Sequence, residues 1–286
     1  MIQEIGEGRF NPAYMRKNPQ EDDILLHYEY NKVMLIKEGD GYRLPAFRDL
    51  KGEEDAVESV SYLFSIDSKG YYLADTFQMP EFGGFVMEGL QIFRSFEPME
   101  DGFAGITGSQ IYRWRESRRF CGCCGGKMAP GEKERSMVCS ACGHTEYPKI
   151  SPAVIVAIRN GDRLLMSRYA RGAYRHYALI AGYLEIGETF EDCVKREVME
   201  EVGLKVKNIR YYKSQPWAFS DTVMIGFVAD LDGDDTIRLQ EEELSEAGWF
   251  TREEIIEYPP YISVGHEMMK AFKDGKSNER KKVHII

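Results

Sequence analysis

Residues 182–204, GYLEIGETFEDCVKREVMEEVGL, decide the fold of the second half of this 286-residue chain. Thr189 is a good N-cap residue, and Asp192 follows three residues later as its capping partner. Gly203 stands where a left-handed C-cap belongs, and no proline interrupts the stretch. The pattern predicts a helix that begins after Thr189 and ends before Gly203.

This helix is expected to turn acidic and apolar side chains to the same side. Successive residues advance by roughly 100° around a helix, so Val194 and Val198 share one face. Glu197 and Glu201 project onto that face, and Glu200 lies within the same two turns. Inward carboxylates are costly unless they are paired or bind a metal, and Mg²⁺ or Mn²⁺ prefers oxygen ligands. We therefore expect a divalent ion and a phosphate-bearing substrate, rather than a solvated face of charge pairs.

The stretch resembles the Nudix hydrolase box, G-x5-E-x7-R-E-U-x-E-E-x-G-U, in which U is an aliphatic residue. All defined positions are filled, by Gly182, Glu188, Arg196, Glu197, Val198, Glu200, Glu201, Gly203 and Leu204. The resemblance implies that Glu197, Glu200 and Glu201 are catalytic metal ligands. It also implies that Glu188 and Arg196 form an ion pair that orients the helix. The backbone carbonyl of Ala181, just before the box, is expected to be a further ligand.

The amino-acid composition is that of a globular protein, and 286 residues are enough to form two hydrophobic cores. The formal net charge of -10 argues against broad binding to nucleic acid or to anionic membranes. No apolar run has the length of about 18 residues that a membrane span needs, and the start, MIQEIGEGRF, does not resemble a signal peptide. We expect a cytoplasmic protein with reduced cysteines and no membrane partner.

Five of the six cysteines lie between positions 121 and 142. Two Cys-x-x-Cys pairs have the spacing of a zinc ribbon, namely Cys121, Cys124, Cys139 and Cys142. Cys123 offers a spare thiol, but Cys121 and Cys124 keep the spacing. Four protein ligands leave no open position, so a structural Zn²⁺ is expected. Two disulfides, or a ribbon that binds nucleic acid, are the weaker alternatives.

The chain is expected to be an α/β (α+β) protein in three parts. These are an N-terminal α/β domain with a packing or dimerisation role at 1–119, a small zinc ribbon at 120–148 and a Nudix domain at 149–286. In the first part, two strand-like runs flank the turn at 67–70 and predict a hairpin. The arginine-rich segment 111–120 is interpreted as a solvated helix, in preference to a phosphate or RNA contact.

In the third part, the pattern predicts a mixed sheet with helices on both faces, an α/β/α sandwich. The apolar run 152–158 and residues 163–166 are expected to pair across a turn at 160–162. Further strands are predicted at 209–213 and 223–229, and short helices at 253–257 and 266–273.

A second motif narrows the substrate. Residues 214–222, SQPWAFSDT, resemble the SQPWPFPxS signature of the bacterial NADH pyrophosphatases within the same family. Ala218 and Ser220 replace two prolines, and Thr222 replaces the final serine. The aromatic rings of this motif offer flat faces on which a nicotinamide or adenine ring could stack, although aromatic residues also fill cores.

The resemblance implies further site residues by position. Substrate contacts are expected from Tyr147, Tyr183, Gln215, Pro216, Trp217, Ala218, Phe219, Ser220, Asp221, Thr222 and Gly265, the last of which stands where alanine is usual. Glu243 is expected to be another ligand of the catalytic metal, with Glu241 and Glu242 as neighbours that make the register less secure. The family also implies a homodimer with a shared site.

The expected reaction is metal-dependent hydrolysis of the pyrophosphate bond of NADH or NAD⁺ to nicotinamide mononucleotide and AMP. One alternative is the same chemistry on ADP-ribose or coenzyme A, and another is removal of the NAD cap from NAD-capped RNA. An alternative of a different class is a catalytically silent nucleotide sensor or zinc-ribbon adaptor. The complete set of acidic positions argues against that last alternative.

Overall fold

The computed structural model of the protein describes residues 1–51, 54–79, 83–172 and 175–276. Contacts along the chain divide it into two compact units. The N-terminal unit consists of Ile2–Lys149 and Ala218–Asp221, and the C-terminal unit of Met1, Ile150–Trp217 and the chain from Thr222 onward. The cysteine-rich segment belongs to the N-terminal unit, and the three-part division at 1–119, 120–148 and 149–286 stays a prediction.

The N-terminal unit contains two four-stranded sheets in its described residues. Its strands are β1 (Phe10–Asn11), β2 (Ile24–Leu26), β3 (Tyr28–Glu29), β4 (Lys32–Glu38), β5 (Gly41–Arg43), β6 (Val57–Ile66), β7 (Lys69–Phe77) and β8 (Phe85–Gly89). One sheet has the order β1-β6-β7-β2; in the other, β4 pairs with β3, β5 and β8. Short 3-10 helices span Phe47–Leu50, Glu54–Ala56 and Leu90–Arg94.

The predicted hairpin is present. β6 and β7 pair from Ile66↔Lys69 outward, and Asp67 adopts the left-handed conformation with φ 53. Two-residue hairpin turns need such a conformation, which aspartate tolerates. Arg9 holds the Asp67 carboxylate at 2.7 Å and so ties the turn to the start of the chain.

A 19-residue helix, α1 (Met99–Ser117), follows the sheets. The sequence predicted a helix at 111–120, but not its start at Met99 and not its burial. Trp114 is 4% exposed, so the prediction of a solvated helix is wrong at this position, whereas the other residues of the segment are exposed or half-buried as expected. At Gly105 a Cβ would lie 2.1 Å from the ring of Phe93, so glycine lets this ring pack directly on the helix backbone. Glycines lower helix propensity, and they conceal the first half of α1 in the sequence.

The cysteine-rich segment forms a small antiparallel sheet at the end of the N-terminal unit. Its strands are β9 (Met128–Pro130), β10 (Met137–Cys139) and β11 (Thr145–Glu146), in the order β11-β10-β9. The tight turns between these short strands bring the two Cys-x-x-Cys pairs together.

The C-terminal unit is built on a six-stranded mixed sheet in its described residues. The strands are β12 (Ser151–Asn160), β13 (Arg163–Tyr169), β14 (Ile180–Tyr183), β15 (Val206–Trp217), β16 (Thr222–Leu231) and β17 (Leu244–Thr251). Their order is β15-β16-β12-β13-β17, with β14 paired to β12. Since β12 and β16 are parallel and the other pairs antiparallel, the predicted mixed sheet is confirmed.

Two helices, α2 (Phe190–Val202) and α3 (Val264–Lys273), cover opposite faces of this sheet. Alternate residues of a strand point to opposite faces, so Val154 and Val156 of β12 pack with α2, whereas Ile155 packs with α3. Val194 and Val198 of α2 are fully buried against the sheet. The predicted α/β/α sandwich is confirmed.

One predicted helix is wrong. Residues 253–257 follow β17 as a turn and irregular chain, in which Glu254 donates its N–H to the carbonyl of Thr251 at 3.2 Å. A proline disfavours helical backbone in the residue before it, and Pro259 follows Tyr258. The prediction of a helix at 266–273 is confirmed by α3. No described helix combines the length and apolar character needed to cross a membrane.

Candidate metal-binding active site

Both ends of α2 are fixed as the sequence predicted. The Thr189 hydroxyl accepts a hydrogen bond from the backbone N–H of Asp192 at 3.2 Å and donates one to the Asp192 carboxylate at 2.8 Å. Gly203 adopts the left-handed conformation, with φ 68, and its N–H bonds to the carbonyl of Met199 at 3.1 Å. These local contacts determine which side chains of α2 face the sheet.

Glu197 lies directly against strand β14. Its side chain is largely buried, and a Cβ built on Gly182 would come within 1.9 Å of its carboxylate carbon. Gly182 pairs with Val154 of β12, so its backbone cannot easily retreat. The glycine of the box therefore provides the space in which the Glu197 carboxylate sits, beside the Ala181 peptide.

Glu201 is the most deeply buried acid of the cluster, at 3% exposure, and its Oε2 has no hydrogen-bond partner in the described structure. Burial, followed by the charges of Glu197, Glu243 and Glu200, raises the pKa of Glu201 to about 8. Burial also raises the pKa of Glu197, and Arg196 opposes this shift. Two buried carboxylates that disfavour each other's charge form a site that a cation would stabilise.

Arg196 joins the box loop to the helix. Its Nε and Nη2 donate to the two carboxylate oxygens of Glu188 at 2.8 and 2.9 Å, and Nη2 also donates to the carbonyl of Tyr183 at 3.0 Å. This hydrogen-bonded ion pair lowers the pKa of Glu188 to about 2. Nη1 contacts Glu197 at 2.7 Å and Glu200 at 3.0 Å. One guanidinium thus orients three of the carboxylates.

Two further acids of the cluster are exposed. The Glu200 side chain is 52% exposed, and Glu243 lies in the segment just before β17, where its carbonyl accepts from the N–H of Ala170 at 2.8 Å. Glu243 is close enough to raise the pKa of both Glu197 and Glu201. The structure therefore brings together the four acids that the sequence singled out.

This cluster fits a hard divalent ion chemically. Its donors are carboxylate oxygens, and the buried Oε2 of Glu201 lacks a partner within the described residues. The carboxylates are more loosely spaced than the cysteine sulfurs, which form the one group of three or more candidate ligands within 4.8 Å of one another in the described chain.

The four cysteines of the ribbon converge. The Sγ atoms of Cys121 and Cys142 are 3.7 Å apart, and that of Cys124 lies 3.5 Å from Cys139 and 3.4 Å from Cys142. The pKa of Cys139 is lowered to about 6. The largest cause is a hydrogen bond from the backbone N–H of Cys142, and burial opposes this shift. Cys123 is exposed and outside this group. Four sulfurs at this spacing can hold one tetrahedral ion.

Gln215 is wholly buried and connects strand β15 to helix α3. Its Nε2 donates to the carbonyl of Ile262 at 2.8 Å, and its Oε1 accepts from the N–H of Val264 at 2.7 Å. Ser263, between them, caps α3 by accepting from the N–H of His266 at 3.3 Å. Sequence reasoning missed this link, because the partners of Gln215 lie nearly fifty residues further along the chain.

Tyr183 and Thr222 meet at one end of the C-terminal sheet, with their hydroxyl oxygens 3.3 Å apart. Thr222 is buried and pairs with Trp217 across the β15–β16 ladder, while Tyr183 is 54% exposed. Pro216 is exposed beside them. The sheet register therefore brings these predicted substrate residues together within the C-terminal unit.

The tip of the motif, residues 218–221, belongs to the N-terminal unit. Arg113 of α1 donates to the carbonyl of Ala218 and to the carboxylate of Asp221, both at 2.5 Å. The Arg94 guanidinium lies over the Phe219 ring, 4.4 Å from its centroid. Ser220 in the same turn is exposed. No pattern in the sequence around Arg94 or Arg113 indicates that these arginines contact residues 218–221.

Two further predicted substrate residues lie in different units, Tyr147 in the N-terminal unit and Gly265 in the C-terminal unit. Tyr147 is exposed in the ribbon and donates its hydroxyl to Glu134 at 2.8 Å. Gly265 lies in α3, where an added Cβ would meet Ile155 Cδ1 at 2.9 Å. Ile155 faces away from α2, so Gly265 is on the sheet face opposite the acids.

Comparison with known proteins gives two domain matches. Residues 149–272 match the NUDIX domain, and residues 116–147 match the NADH pyrophosphatase zinc ribbon domain. The chain is 42% identical over 173 residues to the NAD-capped RNA hydrolase NudC of Chromobacterium violaceum, and 40% identical over 163 residues to that of Citrobacter koseri. These alignments cover 60% and 57% of this chain, and 65% and 63% of the relatives, less than two thirds of their length.

Among solved structures, a NUDIX hydrolase from Nitrosomonas europaea has a TM-score of 0.48 and 25% sequence identity, over 55% of this chain and 92% of that one.

Proposed function

From a chain that carries a Nudix domain and a zinc ribbon of the NADH pyrophosphatase type, we infer a hydrolase of the pyrophosphate bond in NADH or NAD⁺. The products would be nicotinamide mononucleotide and AMP. The observation that carries this proposal is the buried Glu201 carboxylate, whose unpartnered Oε2 lies among other acids on the box helix. A site of this kind suits an ion that meets a diphosphate.

We propose that Mg²⁺ or Mn²⁺ is held by the side chains of Glu197, Glu200, Glu201 and Glu243 and by the Ala181 carbonyl. When bound, such an ion neutralises diphosphate oxygens and lowers the pKa of a coordinated water. The chain itself supplies the positioning. Arg196 and Glu188 hold α2 against β14, and Gly182 leaves room for the inward carboxylate.

The residues at the end of the C-terminal sheet are proposed to recognise the dinucleotide. Tyr183 and Trp217 present aromatic surface, and the Tyr183 and Thr222 hydroxyls are 3.3 Å apart. Gln215 supports them indirectly, because both ends of its amide are used within the core. Its proposed role is therefore to position the motif rather than to touch the substrate.

A second candidate is removal of the NAD cap from RNA, which breaks the same bond. The curated relatives named NAD-capped RNA hydrolase favour it. The net charge of -10 favours the free dinucleotide, because sequence-independent RNA binding depends on basic surface.

The test is an incubation of the purified protein with NADH, NAD⁺, ADP-ribose, coenzyme A and NAD-capped RNA, with and without Mn²⁺, followed by chromatography of the products. The expected result is metal-dependent release of nicotinamide mononucleotide and AMP from NADH or NAD⁺. Glu201→Gln should abolish turnover, while Glu191→Gln, an exposed carboxylate on the same helix, should leave it unchanged.

Three results would count against the proposal. Cleavage of ADP-ribose or coenzyme A alone would indicate another Nudix substrate. Absence of cleavage from every compound would indicate a sensor or adaptor. Near-normal turnover by a folded Glu201→Gln protein would remove this carboxylate from the site.

We further propose that Cys121, Cys124, Cys139 and Cys142 hold a structural Zn²⁺, which elemental analysis of the purified protein would measure. A cytoplasmic location and a homodimer are proposed as well. Light scattering coupled to size exclusion would measure the mass of the assembly directly.

A further inference from the structure

A cavity of about 480 Å³ lies within the N-terminal unit. Its walls come from the segment before β2, strand β6, helix α1 and strand β9. The lining residues are Tyr14, Met15, Arg16, Lys17, Asn18, Val60, Ser61, Tyr62, Arg115, Pro130 and Gly131. This volume is in the range that holds a small organic ligand.

The charge of this lining is one-sided. Three of the described lining residues, Arg16, Lys17 and Arg115, are basic, and no described residue of the lining is acidic. Arg115 donates to Asp75 at 2.9 Å, but Arg16 and Lys17 form no ion pair with any residue that the structure describes. In a chain with a net charge of -10, a concentration of cations around a concave surface marks a place where an anion would be favoured.

A fourth cation lies next to this lining. Arg135 is partly buried, and its Nη2 donates to the backbone carbonyls of Pro12 and Leu63 at 3.0 and 2.5 Å, with no carboxylate partner in the described residues. Burial, and then the charge of Arg115, lowers the pKa of Arg135. A guanidinium that is partly buried without a counter-charge is unusual, since charges removed from water are normally paired.

Two aromatic rings complete the walls. Tyr14 is fixed by its hydroxyl, which donates to the carbonyl of Gly131 at 2.7 Å. Tyr62 is buried and packs edge-on against Tyr72. Rings held in this way can stack on a planar base without losing much side-chain freedom.

We propose that this cavity binds a nucleoside phosphate, with the phosphate among Arg16, Lys17 and Arg115 and the base against Tyr14. All of its residues belong to the N-terminal unit, and the proposal does not depend on the proposed hydrolase activity. Cations supply charge-assisted hydrogen bonds to the phosphate oxygens, and the ring distinguishes a nucleotide from a bare phosphate ion.

The test is calorimetric titration of the full chain with AMP and, separately, with inorganic phosphate, in buffer without added Mg²⁺ or Mn²⁺. Without such an ion the carboxylate cluster repels anions, which separates the two sites. We expect AMP to bind more tightly than phosphate and to protect the backbone amides of residues 14–18 from hydrogen exchange. The double variant Arg16→Ala/Lys17→Ala should weaken AMP binding by roughly tenfold or more, since each cation contributes a charge-assisted contact.

The matched control is Lys127→Ala/Lys133→Ala, which removes the same charge from exposed positions of the same unit outside the cavity lining. It should bind AMP like the unaltered chain, and melting curves would show that both variants fold. Equal losses in the two double variants would overturn the proposal, as would the absence of AMP binding. Equal affinity for inorganic phosphate and AMP would overturn the assignment to a nucleotide.

Discussion

The carboxylate of Glu197 occupies the space that a side chain on Gly182 would need, since an added Cβ would come within 1.9 Å of Glu197 Cδ. Gly182 and Glu197 are therefore interdependent. Because Gly182 has no side chain, the Glu197 carboxylate has room beside the strand. Because β14 is hydrogen-bonded to β12, the strand cannot move away to relieve a clash.

Gly182→Ala should displace the Glu197 carboxylate and reduce turnover of NADH by roughly 100-fold, the scale expected for a misplacement of about 1 Å. Overpacking should also cost about 1–3 kcal/mol of unfolding free energy. Steady-state kinetics and urea unfolding would measure the two effects. Gly89→Ala, at a position where an added Cβ meets nothing within 4 Å, is the control. Unchanged turnover in a folded Gly182→Ala protein would contradict this reasoning.

Stability without divalent metal should fall as pH rises. The pKa of Glu201 is raised to about 8 from the ordinary value of 4.5, so between these values the folded chain binds a proton that the unfolded chain has released. The free energy of unfolding then decreases with pH across this window, by about 5 kcal/mol at most, since each pKa unit contributes about 1.4 kcal/mol.

Urea unfolding at several pH values would measure this slope, and Glu201→Gln should flatten it because the amide does not titrate. Added Mn²⁺ should stabilise the unaltered chain most at the upper end of the window, where the carboxylate is free of its proton. A slope that is identical in the Glu201→Gln variant would show that another group is responsible.

The ribbon allows a comparison of neighbouring thiols. Cys121→Ser should reduce bound zinc from about one ion per chain and lower the melting temperature by about 5 °C or more, because metal binding contributes directly to folding. Cys123→Ser should change neither, since Cys123 lies outside the four-sulfur group. Elemental analysis and calorimetry are the measurements, and equal zinc contents in the two variants would contradict the assignment.

Gln215→Met should destabilise the protein by about 2 kcal/mol, because it leaves the carbonyl of Ile262 and the N–H of Val264 buried without partners. The exposed neighbour Ser214 provides the control as Ser214→Ala. A positioning role predicts loss of stability together with weaker substrate binding. A rise in KM with unchanged stability would instead indicate direct contact with the substrate.

The local features of this chain could be predicted well. The caps of α2, the strand pairing across residues 160–162 and the four-cysteine group all depend on residues close together in sequence. The inward face of α2 followed from helical periodicity alone, and the structure places Glu197 and Glu201 on it.

The features that could not be predicted depend on distant contacts. Gln215 finds its partners near Ser263, and Arg113 finds the turn at 218–221, which no local pattern indicates. α1 was recognised only in part because its glycines, which are unfavourable in isolated helices, are used here for close packing. Residues 253–257 have the composition of a helix, but the prolines that follow disfavour helical backbone before them.

The four residues at the tip of the β15–β16 hairpin are grouped with the N-terminal half of the protein. A cut at any single peptide bond would therefore fail to separate the two units cleanly. A fragment from residue 150 onward would carry a loop that has lost Arg113, and residues 1–149 alone would lack the loop that Arg113 binds. Exchange of C-terminal units between related proteins should succeed best when α1 is transferred with the hairpin.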